Sequence, residues 1–302
     1  LYLVARVYRI GAMLKEKNVK DKKAIGSDYR RPFGVSLFEL NPSIVSDLMS
    51  DELVHTDSLP VYVPSKEETF SVLHEAIIEK SKDIDHTVAS QEITKGISFT
   101  LQSFMGDYSE VVEKNMELAD LKTCRLMSFP EVISPNELRN DIYITLGQGN
   151  FKTSDAKNVI VEAKVIFKPG KDEKAPSKNP PPVKCITTAV DVQTDNNDEG
   201  DKFISSVYYH NKAPKWNETF KLHINPEDLD RATVVFLFSN AASRHATSKP
   251  PFGIATWKVT DRKGLLNMTT KMGKEDSTGQ QATTSSIYPL SVYKFSKMIE
   301  EE

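Results

Sequence analysis

Past residue 140, short runs of β-branched and aromatic residues recur between turn signals, at 142–146, 159–167, 203–210, 216–224, 233–238, 252–259 and 287–293. A weaker run lies at 183–192. Such side chains suit a pleated, half-buried surface, and runs this short and this regularly interrupted cannot build long helices. The pattern predicts a mainly β fold, with the strands packed as an antiparallel sandwich or barrel. The Pro- and Lys-rich stretch 168–182 and the Gly-, Thr- and Lys-rich stretch 260–286 are expected to be exposed insertions.

The first part of the chain has a different texture. An apolar stretch over 1–12 gives way to a lysine-rich run at 15–23, and apolar residues resume at 33–40, which predicts two strands joined by a mobile loop. After Pro64, Ser65 is placed to cap a helix, with Glu68 three residues on and Phe70, Leu73, Ala76 and Ile77 at helical spacing, so a helix is expected near 65–82. Residues 97–104 alternate as a half-buried strand. Two prolines and a serine in 129–135 mark a boundary between a β-rich segment, 1–128, and the sandwich, 129–302. Two domains also suit a length of 302 residues. The chain starts without Met in an apolar run and stops in an acidic one, and so reads as a piece of a longer protein.

Composition excludes several function classes. The net charge is −3, so no global positive field draws the chain to nucleic acid. No apolar run reaches the roughly 18–20 residues that a membrane-spanning helix needs, so membrane contact would be peripheral. Cys124 and Cys185 are far apart and in no CxxC spacing, which argues against a disulfide scaffold or a zinc site and for a reducing, cytoplasmic setting. The Asn217 and Asn267 sequons are set aside on the same ground. Gly147-Gln148-Gly149 lacks the third glycine and the following helix of a dinucleotide loop. His74-Glu75 lacks the second histidine of a zinc-protease helix, since Ile78 stands there. His55, His86, His210, His223 and His245 show no spacing to a nucleophile, so no catalytic residue, cofactor or metal ligand is assigned.

Loops are more informative. In an antiparallel sandwich successive connections leave from opposite ends. If the weak run at 183–192 belongs to an insertion, the connections 147–157, 211–215 and 240–251 share one rim. They carry Lys152, Lys157, Lys212, Lys215, Arg244 and Lys249 against one acid, Asp155. Calcium needs several carboxylate oxygens, which one aspartate cannot supply. Ammonium and guanidinium groups gathered on one edge favour phosphate instead. Near an anionic leaflet each contributes on the order of 1 kcal/mol before screening.

Ordered motifs then carry a resemblance. Arg31-Pro32-Phe33-Gly34-Val35, Phe129-Pro130-Glu131-Val132-Ile133, Arg139-Asn140-Asp141-Ile142-Tyr143-Ile144-Thr145-Leu146, Gln148-Gly149-Asn150-Phe151, Ala156-Lys157-Asn158-Val159, Val207-Tyr208-Tyr209 and Pro214-Lys215-Trp216-Asn217-Glu218-Thr219 occur in order. Together they resemble the DOCK (dedicator of cytokinesis) family of guanine-nucleotide exchange factors, in the subgroup that partners ELMO proteins and acts on Rac. The likeness is dense from about Phe129 to Tyr293 and thinner toward Leu1. It implies a C2-type sandwich that binds phosphatidylinositol trisphosphate through basic loops and brings an exchange factor to the plasma membrane. Lys152 and Lys157 correspond to the family's first lipid loop, and Arg244, His245 and Lys249 to its third. Here Ser239-Asn240-Ala241-Ala242-Ser243 stands where relatives carry more basic residues. The exchange activity of the family lies in a separate C-terminal region, so this piece is expected to have none.

A competing expectation is a protein-interaction scaffold of the same exchange factor that keeps the sandwich without lipid binding, favoured by that depleted third loop. An enzyme rests on nothing better than scattered histidines.

Overall fold

The computed structural model describes residues 1–11, 29–50, 54–91, 93–104, 106–118, 141–152, 156–168, 183–188, 200–241, 250–261 and 289–294. The chain is mainly β, and among the described residues all strand pairs are antiparallel.

The first half begins with a long pair, β1 (Tyr2–Gly11) and β2 (Tyr29–Glu39), in register from Tyr2 opposite Glu39 to Gly11 opposite Tyr29. Helix α1 (Pro42–Met49) follows, with Asn41 as its cap: Asn41 Oδ1 accepts from the Ile44 amide at 2.9 Å, and Pro42 supplies a first-turn residue that needs no donor. Next come β3 (Val54–Leu59), β4 (Tyr62–Pro64), a 3₁₀ turn Glu67–Val72, α2 (Leu73–Ile78), β5 (His86–Val88), β6 (Ile97–Gln102) and α3 (Tyr108–Lys114). They form a sheet of order β1-β2-β4-β5 and a ribbon β3-β6.

The expected helix near 65–82 is present from Glu67 to Ile78, but not with the expected cap. Ser65 does not cap it. Its amide and hydroxyl both bond to Asp85, and the helical stretch starts at Glu67 as a 3₁₀ turn with no side-chain cap, widening into α2 only at Leu73. Helices α1 and α3 were not foreseen.

The second half consists of β7 (Asp141–Gln148), β8 (Val159–Phe167), β9 (Ile186–Thr188), β10 (Phe203–Ile204), β11 (Lys215–His223), β12 (Ala232–Asn240), β13 (Gly253–Lys258) and β14 (Tyr293–Lys294). They build a five-stranded sheet, β10-β8-β12-β13-β14, and a three-stranded sheet, β7-β11-β9. Period-2 alternation decides which faces meet: Val159, Val161, Ala163 and Val165 of β8, Val234, Phe236 and Phe238 of β12, and Trp216, Phe220 and Leu222 of β11 are all buried in one core. Phe203 stacks on Phe220 across it, with ring centroids 4.5 Å apart. The expected run at 203–210 is a strand only as far as Ile204, and the last strand is short. The same core takes in Val35, Phe70 and Leu73 from the first half.

The weak run at 183–192 resolves the question of loop parity. β9 pairs with the far part of β11, Ile186 lying opposite Leu222. Gly200 then exchanges hydrogen bonds with Ile186, so the excursion returns to where it began. It adds an edge strand without moving the chain to the other end of the sandwich. The boundary at 129–135, the run at 15–23 and most of the two insertions lie outside the described residues.

Candidate functional site

One end of the sandwich carries Gln148 opposite Lys215, Val159 opposite Asn240 and Phe238 opposite Gly253. The connections 148–158, 205–215 and the start of 241–252 therefore leave from the same rim, and hydrogen bonds join them. The Gly149 amide donates to Pro214 O and the Phe151 amide to Lys212 O, each at 2.9 Å, extending the β7–β11 pairing into the loops. The Phe151 ring then turns inward and touches all three connections' bases: Trp216 and Phe252 edge-on at 6.3 and 5.7 Å, and Phe238 at 5.4 Å. Lys152, next along, is exposed.

Two asparagines complete the join. Asn240 Oδ1 accepts from the Asn158 amide at 2.8 Å and the Lys157 amide at 3.3 Å. Asn158 Oδ1 accepts from the His210 amide at 2.8 Å, and the Asn158 carbonyl from the Ala241 amide at 2.8 Å. Asn158 is buried, so the bonds made by its own amide and side chain are partly sheltered from water. Lys157 is left exposed beside them, and Lys212 and Lys215 are exposed on the neighbouring connection. The structure thus brings Lys152, Lys157, Lys212 and Lys215 to one rim, and among the described residues none of the four pairs with a carboxylate. Arg244, His245 and Lys249 lie outside the described residues. Also among the described residues, no group of three or more His, Cys, Asp or Glu could hold a metal ion, and no helix is long and apolar enough to cross a membrane.

A second constellation sits where the two halves meet, behind the rim. Glu218 is buried on β11, and its carboxylate takes the Ser206 amide at 3.0 and 3.2 Å through its two oxygens. Arg30, from β2, reaches across with Nη2 at 2.5 Å from Glu218 Oε2, with Nε donating to Ser206 Oγ at 3.0 Å and Nη2 also to the Ile204 carbonyl at 3.1 Å. Trp216 Nε1 donates to Ser206 O at 3.0 Å, so the backbone of one serine is bound on both sides. Trp216 and Glu218 both face inward by strand alternation, and a bulge between Lys215 and Glu218, with Asn217 at φ 47°, shifts the pairing with β7 there. Burial, with the Glu218 charge adding to it, pushes the hydroxyls of Tyr208 and Tyr8 above the usual tyrosine range.

Beside it, Arg31 grips Glu67 with two bonds, at 3.3 and 2.7 Å, and lies over the Tyr209 ring at 5.0 Å. Tyr209 in turn stacks on His210 with centroids 4.0 Å apart. A small cleft of about 250 Å³ opens here, lined by Lys66, Glu67, Glu68, Tyr208, Tyr209, His210 and Asn211.

Residues 135–293 match the family described as the C2 domain in Dock180 and Zizimin proteins, and residues 1–130 match the DOCK N-terminus. This chain belongs to the DOCK family. It is 30% identical to human dedicator of cytokinesis protein 3 over 263 residues, which cover 84% of the chain and 12% of that relative. The mouse protein 3 is 29% identical and the human dedicator of cytokinesis protein 4 is 27% identical over the same shares. The chain therefore spans only a small part of the length of these DOCK relatives. Its sandwich is the C2 region, and its first half is the DOCK N-terminal region.

Sequence reasoning missed Asn158, Asn240, Ser206, Arg30 and Glu218. A signal existed for one of them. Along 216–222 the inward positions read Trp216, Glu218, Phe220 and Leu222, and an acid on an apolar strand face demands a buried partner. Nothing in the sequence points to Arg30 as that partner.

Proposed function

We propose that residues 129–302 form a calcium-independent docking module for anionic phosphoinositide membrane. Phosphatidylinositol trisphosphate head groups are its ligand, and residues 1–128 support it. Lys152, Lys157, Lys212 and Lys215 contact the phosphates, with Arg244, His245 and Lys249 adding to them. One observation carries this reading: four exposed lysines stand on connections tied together by Asn158 and Asn240, with no carboxylate partner among the described residues. At about 1 kcal/mol for each cation near an anionic leaflet, four such charges suffice for reversible docking that weakens with salt.

In the longer protein this docking recruits a cytoplasmic guanine-nucleotide exchange factor to the plasma membrane. Exchange on a Rac-type GTPase and engagement of an ELMO-type adaptor belong to other parts of that protein. The test is co-sedimentation of the chain with vesicles, with and without trisphosphorylated inositide. Preferential partitioning that falls several-fold for Lys152→Glu and Lys215→Glu supports the reading. Equal partitioning with both vesicle types, unchanged in these variants, overturns it and leaves the scaffold function.

A further inference from the structure

The connection that carries Lys212 and Lys215 is braced from two sides. Its strand β10 ends at Ile204, and the chain then runs from Ser205 to Pro214 without a ladder. From the sandwich side it is held by the Ser205 amide on Val161 O, by the Ser206 backbone between Glu218 and Trp216, by the His210 amide on Asn158 Oδ1, and by the Lys212 and Pro214 carbonyls, which accept from the Phe151 and Gly149 amides. From the other side it is held by the N-terminal sheet: the Val207 amide donates to the Arg30 carbonyl at 2.9 Å, and the Arg31 guanidinium covers Tyr209. Arg31 cannot wander, because Glu67 binds it through two parallel bonds and its side chain is 14% exposed. Arg9, the cross-strand neighbour of Arg31, lies 3.7 Å from the same carboxylate and backs the arrangement. His210, stacked on the Tyr209 ring, takes a left-handed conformation at φ 52°.

We propose that Arg31 is a positioning residue for the rim: fixed by Glu67 and laid over Tyr209, it sets the turn that delivers Lys212. The N-terminal region is then part of the docking apparatus and not a separate neighbour. This rests on the docking reading above. The chemistry needs a planar guanidinium, because a lysine offers neither the two-pronged grip on Glu67 nor the flat face that stacks on a phenol ring.

The experiment uses the full chain with Arg31→Lys, Arg31→Leu, Tyr209→Leu and Tyr209→Phe, and reads amide hydrogen exchange over 207–212, partitioning to trisphosphoinositide vesicles, and the urea midpoint. Arg31→Lys, Arg31→Leu and Tyr209→Leu are expected to speed exchange at Val207 and His210 by about tenfold and to weaken vesicle binding several-fold, with the midpoint lowered in Arg31→Leu, which leaves Glu67 to Arg9 alone, and little changed in Arg31→Lys and Tyr209→Leu. Tyr209→Phe keeps the ring and behaves as wild type. Wild-type protection of these amides in Arg31→Lys overturns the proposal, as does full recovery of vesicle binding by Arg31→Lys when Arg31→Leu has lost it, because charge alone would then be the cause. If the wild-type chain binds no vesicles, the docking reading fails, and the exchange data still decide whether Arg31 fixes the turn.

Discussion

Arg30 and Glu218 are 188 residues apart in the chain and form a 2.5 Å ion pair at the seam between the DOCK N-terminal sheet and the C2 sandwich. Only 5% of the Glu218 side chain and 18% of the Arg30 side chain are exposed. Taking both charges from water is costly, and the site offsets this with Ser206, whose amide binds the acid while its hydroxyl accepts from the base. Trp216 fixes the same serine from the core side. The pair therefore specifies how the halves fit more than it adds net stability.

Breaking the pair on one side strands a buried charge, whereas removing both charges does not. Arg30→Met is expected to lower stability by roughly 3–5 kcal/mol, and Glu218→Gln by less, since the amide oxygen still accepts from Ser206. The double variant Arg30→Met with Glu218→Gln strands no charge and should recover most of the Arg30→Met loss. Urea denaturation of the four proteins gives the coupling. Additive losses would show that the two residues do not act as a pair.

Asn158 holds the rim from inside the sandwich. Asn158→Ala leaves the part-buried His210 amide without its acceptor, which costs about 1 kcal/mol. Asn240→Ala removes the acceptor for the Asn158 and Lys157 amides, and the two losses should be less than additive because both open the same junction. Hydrogen exchange should rise at Asn158, His210 and Ala241 and stay unchanged in β1 and β2. Uniform exchange increases across the chain would contradict a local role.

Strands were legible in the sequence wherever two apolar faces alternate, as in β8, β11 and β12, because period-2 burial is local information. Loop parity was legible too, once the 183–192 run could be treated as an excursion. The helix near 65–82 forms in place, from Glu67 to Ile78, but its cap is not Ser65, because Ser65 has a tertiary partner, Asp85, which outcompetes the cap. Among the candidate residues, the exposed lysines were visible as charge, but what gathers them was not. Asn158 meets Asn240 and Arg30 meets Glu218 only after folding, and neither contact leaves a spacing to read.

Gly149 has no room for a side chain. A Cβ there would lie 2.5 Å from Cε2 of Phe151 and 3.0 Å from Cη2 of Trp216. Both rings are buried and packed against each other and Phe238, so they cannot swing clear. Gly149→Ala is expected to cost about 1–3 kcal/mol and to shift the intrinsic fluorescence as the Trp216 packing changes. Gly147→Ala, where no atom lies within 4 Å of the added carbon, serves as the comparison and should be close to neutral. Equal losses in both would remove the ring clash as the cause.

His74 of α2 supplies an acid-side dependence. Burial holds its imidazole pKa below the ordinary histidine value, the nearby Arg6 charge lowers it further, and Glu75 opposes both. Its Nδ1 is buried without a hydrogen-bond partner, so a proton there would gain nothing. The folded state thus keeps His74 neutral while the unfolded chain takes up a proton near pH 6.5. With the folded value depressed, the stability linked to this group is complete above pH 6.5 and is lost as pH falls toward the folded value. Urea titrations at pH 7.5 and 5.5 should show a loss for the wild type that is smaller in His74→Met. An identical loss in the variant would assign the acid sensitivity to other groups.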